Sequence, residues 1–238
     1  MIDRRTFYAT VRARLFGGTL NQAQVDGMNA VLDEWERRGL TDLRWLAYML
    51  ATAKHETNAT MQPVREAYWL SEDWRRAHLR YWPYYGRGLV QLTWRENYDK
   101  MGRFLGLPLV DQPDLALNLD AAVKIMFEGM LKAETGVGDF TGACLEQFFS
   151  ATVDDPVNAR RIINGTDRAQ LVAGYHYEFL QALRLAAGEA SPAAVQPAPP
   201  PAIVGLLDPV EAIKRLQAKH GLKADGLVGP ATRAALGI

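Results

Sequence analysis

Two carboxylic acids, Glu56 and Glu66, stand ten positions apart at the start of a stretch rich in aromatic and amide side chains, residues 55–98. Glu56 comes at the end of a predicted helix, whereas Glu66 follows in a segment with few helix signals. Cleavage of a glycosidic bond needs one carboxyl group that donates a proton and a second that takes a proton from water. It also needs flat apolar surfaces and amides that hold sugar rings. The stretch is therefore predicted to form a sugar-cleaving cleft.

Glu56 ends a predicted helix over residues 43–57. At roughly 100° per residue, Trp45, Met49 and Thr52 lie on the same stripe of that helix as Glu56. A carboxyl group at the end of a mostly apolar stripe is expected to be partly desolvated, which favours its neutral form and suits a general acid. The alternative is an exposed glutamate in the last turn of the helix.

The elements around this stretch are predicted to be mainly α-helical. Apolar residues recurring every three or four positions predict long helices at 3–16, 19–38, 43–57, 96–105, 118–133 and 167–187. The last of these is expected to turn Leu171, Tyr175, Phe179, Leu180 and Leu183 inward. Further short helices are predicted at 71–78, near Leu145 and at 156–163, with a small β-hairpin around 84–94.

Composition excludes several other classes of protein. The formal net charge is zero, which argues against binding to nucleic acid. Cys144 is the only cysteine, so no internal disulfide can form. No stretch reaches the roughly 18 apolar residues that span a bilayer, and Arg12 and Arg14 interrupt any signal peptide. We expect a monomer, made in the cytoplasm without stable membrane insertion.

The sequence offers no recognisable metal site or nucleophile. His55-Glu56 lacks a second histidine four positions later, and the remaining histidines, His78, His176 and His220, are scattered. No serine or cysteine stands in a nucleophile elbow. An enzyme that uses carboxylates and no cofactor is the simplest interpretation.

A proline- and alanine-rich segment divides the chain. Residues 189–202 are predicted to be a linker in an extended polyproline conformation. The division gives a larger domain at 1–188 and a small helical unit at 203–238, which is very short for an independent fold.

Several short motifs resemble, in order, the catalytic region of glycoside hydrolase family 19, the chitinase-like group that includes many bacteriophage endolysins. They are His-Glu-Thr at 55–57, Tyr-Gly-Arg-Gly at 85–88, Gln-Leu-Thr at 91–93, Asn-Tyr at 97–98 and Ile-Asn-Gly at 163–165. The resemblance covers most of the larger domain. It implies a lysozyme-like, two-lobed helical fold with the cleft between the lobes.

The resemblance also implies roles for individual residues. Glu56 matches the general acid, and phage-type members place the second carboxylate about ten positions later, at Glu66. Glu72 and Asp73 remain competing candidates for that second carboxylate. Thr93 matches a position that orients the attacking water, so the reaction is expected to invert the anomeric centre.

Substrate contacts are expected along the same stretch. Gln91, Asn97 and Asn164 match positions that bind sugar, and Tyr68 and Tyr85 are candidates for stacking on sugar rings. Arg87 is a candidate substrate contact, although its place between two glycines also suits a bracing role. Other arginines around the stretch would favour an anionic, peptide-bearing glycan unless they pair with neighbouring acids.

The C-terminal unit resembles the second half of a peptidoglycan-binding repeat, from Ala212 to Leu236, without the usual first helix. We therefore predict an endolysin that hydrolyses β-1,4 bonds of bacterial peptidoglycan after its release from the cytoplasm. The alternatives are a chitinase, a lytic transglycosylase and a non-catalytic wall-binding protein.

Overall fold

The computed structural model describes residues 2–132 and 140–189, and Ala218 alone beyond them. The chain divides into two units, Met1–Ser191 and Pro192–Ile238, and the description that follows concerns the first. The predicted linker after Glu189 and the predicted unit at 203–238, Ala218 excepted, lie outside the described residues, so both stay predictions.

The described part of the chain is mainly helical, which confirms the predicted fold class. The two strands are β1 (Val64–Arg65) and β2 (Arg87–Gly88), and short 3₁₀ helices lie at Pro113–Leu117 and Asn158–Ile162. The α-helices are α1 (Arg4–Leu15), α2 (Gln22–Arg37), α3 (Leu43–Glu56), α4 (Glu72–His78), α5 (Arg95–Leu105), α6 (Leu119–Met130), α7 (Leu145–Phe148) and α8 (Ala169–Ala186).

Helix α3 is the centre of the fold. Every residue from Leu46 to Lys54 is buried, so α3 is covered on all sides rather than on one stripe. Helix α8 packs along it, and α1 packs against α8. Asp42 starts α3 by accepting a hydrogen bond from the backbone N–H of Arg44. This burial fixes the direction in which the last residue of the helix, Glu56, leaves the core.

The predicted hairpin at 84–94 is present only as a short hydrogen-bonded turn, and the two named strands pair across a longer loop. Strand β2 pairs antiparallel with β1, with Val64 opposite Gly88 and Arg65 opposite Arg87. The chain after β2 turns back at once, and Arg87 forms an isolated bridge with Leu92. Gly88 has φ +87° and Gln91 has φ +52°, so the backbone cannot continue as a ladder there.

Helix α8 turns Phe179, Leu180 and Leu183 inward as predicted, but its first turn differs from the prediction. Leu171 is 43% exposed, whereas Val172, His176, Phe179 and Leu183 are buried. The inward stripe therefore includes a histidine, which lies against α3. None of the described helices is both long and apolar enough to cross a bilayer.

Candidate active site

A cleft with a volume of about 480 Å³ contains both predicted catalytic carboxylates. The loop between β2 and α5 contributes residues 90–94 to its wall, and the remainder comes from the end of α3, Glu66, Tyr81, the first turn of α5 and the segments at 140–141 and 163–164. The lining residues are Glu56, Glu66, Tyr81, Val90, Gln91, Leu92, Thr93, Trp94, Asn97, Phe140, Thr141, Ile163 and Asn164.

Glu56 is held at the end of α3 by a buried arginine. Arg160 is 1% exposed, and its Nη1 donates a 2.6 Å hydrogen bond to Oε1 of Glu56, whose side chain is 13% exposed. The Nε of Arg160 donates to the carbonyl of Asp167 at 2.8 Å. The guanidinium therefore ties the first carboxylate to the segment that also carries Asn164.

Glu66 directly follows β1 and is fixed from both sides. Its backbone N–H donates to the carbonyl of Gly86 at 2.7 Å, and its Oε2 accepts the N–H of Gly86 at 2.9 Å. The hydroxyl of Tyr81 donates to Oε1 at 2.7 Å. Burial, and then this hydrogen bond to the carboxylate, raise the pKa of Tyr81 to about 12, so its hydroxyl stays a donor. Donors on both oxygens suit an ionised carboxylate that acts as a base.

The turn between the two acids is strained and tightly held. Asn58, Ala59 and Met61 all have positive φ values, which side chains of L-residues rarely adopt. The buried hydroxyl of Thr57 donates to the carbonyl of Ala53 at 2.7 Å and accepts the N–H of Met61 at 3.1 Å. One threonine thus ends α3 and fixes the turn that leads to Glu66.

Helix α2 supports the same turn from outside. Gln24 Nε2 donates to the carbonyl of Ala59 at 2.9 Å. The carbonyl oxygen of Met61 lies so close to Gly27 that a Cβ placed there would be 1.8 Å from it. A glycine is therefore required at position 27, and the turn is packed directly on the helix.

The amide and hydroxyl groups on the opposite wall are ordered by local hydrogen bonds. Gln91 Nε2 donates to the carbonyl of Val64 at 3.1 Å, which joins this loop to β1. The hydroxyl of Thr93 donates to the carbonyl of Gln91 at 2.8 Å, and Asn97 Nδ2 donates to the carbonyl of Thr93 at 3.0 Å. The hydroxyl oxygen of Thr93 and the amide oxygens keep free lone pairs that can accept from water or sugar.

Three predicted substrate contacts lie elsewhere. Tyr68, Tyr85 and Arg87 line a second groove and do not line the cleft. Tyr85 is 1% exposed and Arg87 is 2% exposed, so neither can stack on or bind a glycan as predicted. Arg87 pairs with Asp114 at 2.8 Å and lies 3.7 Å from the centre of the Tyr85 ring. This packing fits the bracing role of Arg87. Tyr85 was expected to contact sugar, but the structure places it in the interior.

The competing second carboxylates also lie outside the cleft. Asp73 is exposed on α4. Glu72 lines the second groove, where it accepts hydrogen bonds from Trp82 and Tyr85 and pairs with Arg75. Burial raises the pKa of Glu72, but these three donors outweigh it and hold the pKa below its usual range. Glu72 is thus held by side chains of this chain and serves as a structural group.

Three residues at the site were not predicted from the sequence: Tyr81 and Trp94, which line the cleft, and Arg160, which binds Glu56 from the interior. Arg160 lies in a run of two arginines that resembles a surface segment, and Tyr81 and Trp94 stand among many other aromatic residues. The unusual backbone of Trp94, with φ +75°, has no signature in the sequence. Within residues 2–132 and 140–189, no three His, Cys, Asp or Glu side chains are grouped so as to hold a metal ion.

Comparison with known proteins gives two matches to families. Residues 46–131 match the glycoside hydrolase family 19 model described as chitinase class I, and residues 209–236 match a peptidoglycan binding domain. The first match covers α3 from residue 46 onward, both strands, α4, α5 and α6, and so includes Glu56 and Glu66.

Individual relatives share only a short segment with this chain. Endochitinase At2g43610 of Arabidopsis thaliana is 59% identical over 32 residues, 13% of this chain and 11% of that protein. Inactive chitinase-like protein 1 of Hevea brasiliensis is 56% identical over 32 residues, 13% and 10% respectively. The chain thus covers about a tenth of these relatives. Because one of them is named inactive, the match alone does not establish activity.

Among solved structures, a bacterial family 19 chitinase aligns with a TM-score of 0.49 and 22% identity, over 80% of this chain and 96% of that one. Similarity at this level carries no functional information. The sequence match and the motifs inside it are the stronger finding. Residues 46–131, about a third of the chain, are therefore similar to a glycoside hydrolase family 19 domain of the class I chitinase type.

Proposed function

We propose that this protein hydrolyses β-1,4 glycosidic bonds between amino sugars of bacterial peptidoglycan. The observation that carries the proposal is that Glu56 and Glu66, alone among the candidate acids, line one cleft together with the predicted water-orienting Thr93. The match to a family of glycoside hydrolases supports the type of reaction.

In the proposed mechanism, Glu56 donates a proton to the glycosidic oxygen as the bond breaks. Glu66 takes a proton from a water molecule that attacks the opposite face of the sugar, which inverts the anomeric centre. The hydroxyl oxygen of Thr93 accepts a hydrogen bond from that water. Asn97 and Asn164 offer amides for the N-acetyl groups and hydroxyls of the glycan. Arg160 keeps the carboxyl group of Glu56 directed into the cleft.

The match of residues 209–236 to a peptidoglycan binding domain favours peptidoglycan as the substrate and an endolysin-like role in wall degradation. Chitin is the second candidate, because the matching family and the curated relatives are chitinases. Both glycans contain β-1,4-linked N-acetylglucosamine units, so the same pair of acids would serve either substrate.

Digestion of purified peptidoglycan and of glycol chitin tests the proposal. The products of the wild-type protein are analysed by mass spectrometry, because reducing muramic acid, reducing glucosamine and anhydro ends are distinguishable. We expect reducing ends from peptidoglycan, and loss of at least about a hundredfold in rate for both Glu56→Gln and Glu66→Gln.

Asp73→Asn is the matched control, because Asp73 is an exposed carboxylate outside the cleft; this variant should keep the wild-type rate. Equal rates for wild type and Glu56→Gln would end the enzymatic proposal and favour a wall-binding protein. Anhydro ends with activity retained in Glu66→Gln would instead indicate a lytic transglycosylase, which needs only one carboxylate.

A further inference from the structure

The arginines between residues 65 and 87 differ in whether they already have an acidic partner. Arg65, Arg75 and Arg87 are each paired with a carboxylate of the protein. Arg80 is exposed and forms no ion pair with any residue in the two long described segments. Its guanidinium lies over the indole of Trp94, 5.3 Å from the ring centroid. The charge of Arg80 is therefore free to meet a ligand.

Trp94 places this guanidinium at the edge of the cleft. The indole lines the cleft and remains 43% exposed. A large apolar side chain exposed to this extent inside a cleft is a feature of binding sites. Its backbone is held at φ +75° and ψ 137°, and its N–H donates to the carbonyl of Tyr84 at 2.9 Å. Strained residues of this kind gather at binding and catalytic sites, where the surrounding structure fixes a needed side-chain direction.

Tyr81 connects Trp94 to the second carboxylate. Its ring meets the indole edge-on at 5.1 Å, and its hydroxyl donates to Glu66 at 2.7 Å. Arg80 is the preceding residue, and its charge lowers the pKa of Tyr81 against the larger effect of burial. Moving outward from the reacting bond, a glycan would thus meet Glu66, then the indole, then the guanidinium.

We propose that Trp94 and Arg80 form a subsite that recognises a peptide-bearing sugar of the peptidoglycan strand. The indole takes the apolar face of the sugar, and the guanidinium pairs with a carboxylate of the attached peptide. A guanidinium stacked on an aromatic ring keeps its in-plane N–H donors available, so it can bind a carboxylate with two hydrogen bonds. The inference rests on the proposed function, since the subsite belongs to the same cleft.

The protein contains a matched control for this pair. Arg76 stacks on Trp82 at 4.8 Å, and both side chains are exposed. Neither residue lines the cleft. Arg76 and Arg80 are thus two exposed guanidinium groups on indole rings, of which only one stands beside the site.

Binding is measured by calorimetry on the full chain carrying Glu56→Gln, so that the ligand is not cleaved. The ligands are a peptidoglycan tetrasaccharide with its stem peptides, the same compound with its peptide carboxylates converted to amides, and chitotetraose. The measured quantity is the ratio of the dissociation constant for the amidated ligand to that for the first ligand. In Arg80→Gln this ratio should fall about tenfold, because the pairing with the peptide carboxylates is lost. Arg76→Gln should leave that ratio unchanged, and Trp94→Ala should weaken all three ligands.

An unchanged ratio in Arg80→Gln, or the same loss in Arg76→Gln, overturns the subsite. The proposed function is checked separately, by turnover of peptidoglycan by the wild-type protein. If the wild-type protein cleaves peptidoglycan but the ratio is unchanged in Arg80→Gln, only the proposed subsite is refuted. If the wild-type protein does not cleave peptidoglycan but the ratio changes in Arg80→Gln, the proposed hydrolase activity is refuted and the subsite remains as a binding site.

Discussion

His176 gives the protein a predictable weakness towards acid. The imidazole is fully buried between α8 and α3, 5.1 Å from the ring of Phe149 and 5.8 Å from that of Tyr48. Neither ring nitrogen has a hydrogen-bond partner among the described residues. Burial, and then the charges of Arg184 and Arg44, lower the pKa of His176 to about 3. The folded protein therefore keeps this side chain neutral.

The effect on stability follows from the difference between the folded and unfolded states. In the unfolded chain the histidine takes up a proton below about pH 6.5, whereas in the folded protein it does so only near pH 3. Since the unfolded state binds the proton more readily, stability falls as the pH drops from about 6.5 towards 3, by about 1.4 kcal/mol per pH unit. At about pH 4.5 the loss from this one group amounts to about 2.7 kcal/mol.

Replacement by groups that do not titrate removes this loss. We compare the free energy of unfolding of each variant with that of wild type. For His176→Phe and His176→Leu this difference should shift in favour of the variant by about 2.7 kcal/mol when the pH is lowered from about 7.5 to about 4.5. The free energy of unfolding is measured by urea denaturation at both pH values. Two variants are needed because each also changes packing, and packing contributes equally at the two pH values. A difference from wild type that stays constant with pH in both variants would refute the reasoning.

Three further substitutions test the site. Arg160→Met leaves Glu56 without its buried partner and should destabilise the protein by about 3 kcal/mol in thermal unfolding; adding Glu56→Gln should restore part of that stability but no activity. Tyr81→Phe removes a donor to the second carboxylate, so kcat should fall about tenfold with KM nearly unchanged, and a fall in KM alone would contradict this. Gly27→Ala forces the carbonyl of Met61 away and should cost about 1–3 kcal/mol as well as lowering kcat; full activity would show that the turn tolerates the shift.

Local signals in the sequence located the helices well. Asp42 caps α3, and Gly106 ends α5 in the left-handed conformation with φ +66°. Such signals act over a few neighbouring residues and can be recognised without the rest of the fold. The pairing of β1 with β2 had no such signal, because two-residue strands show no periodicity and their partners lie more than twenty positions apart.

In the candidate site, too, local motifs were predictable from the sequence and features that depend on distant packing were not. The acids and amides belong to motifs with fixed spacing, and the structure brings Glu56, Glu66 and Asn164 to one cleft. Whether an arginine is buried depends on distant packing, which is why Arg160 was missed and why the sequence left Arg87 open between a substrate contact and a bracing role. His176 was missed for a similar reason, because a histidine among apolar residues does not show from the sequence that it is fully buried.

The turn between the two acids has a consequence for the stereochemistry of the reaction. Retaining and inverting glycosidases differ in the separation of their carboxyl groups, roughly 5–5.5 Å against 6.5–9.5 Å. Here both groups flank a single short segment, residues 57–65, that is docked on α2 through Gly27 and Gln24. Adding or deleting one residue in this segment would alter the separation, because it would displace the buried Met61 or shift the register of β1 against β2. The length of this segment is thus one determinant of the distance between the two acids, and with it of the anomer that the reaction releases.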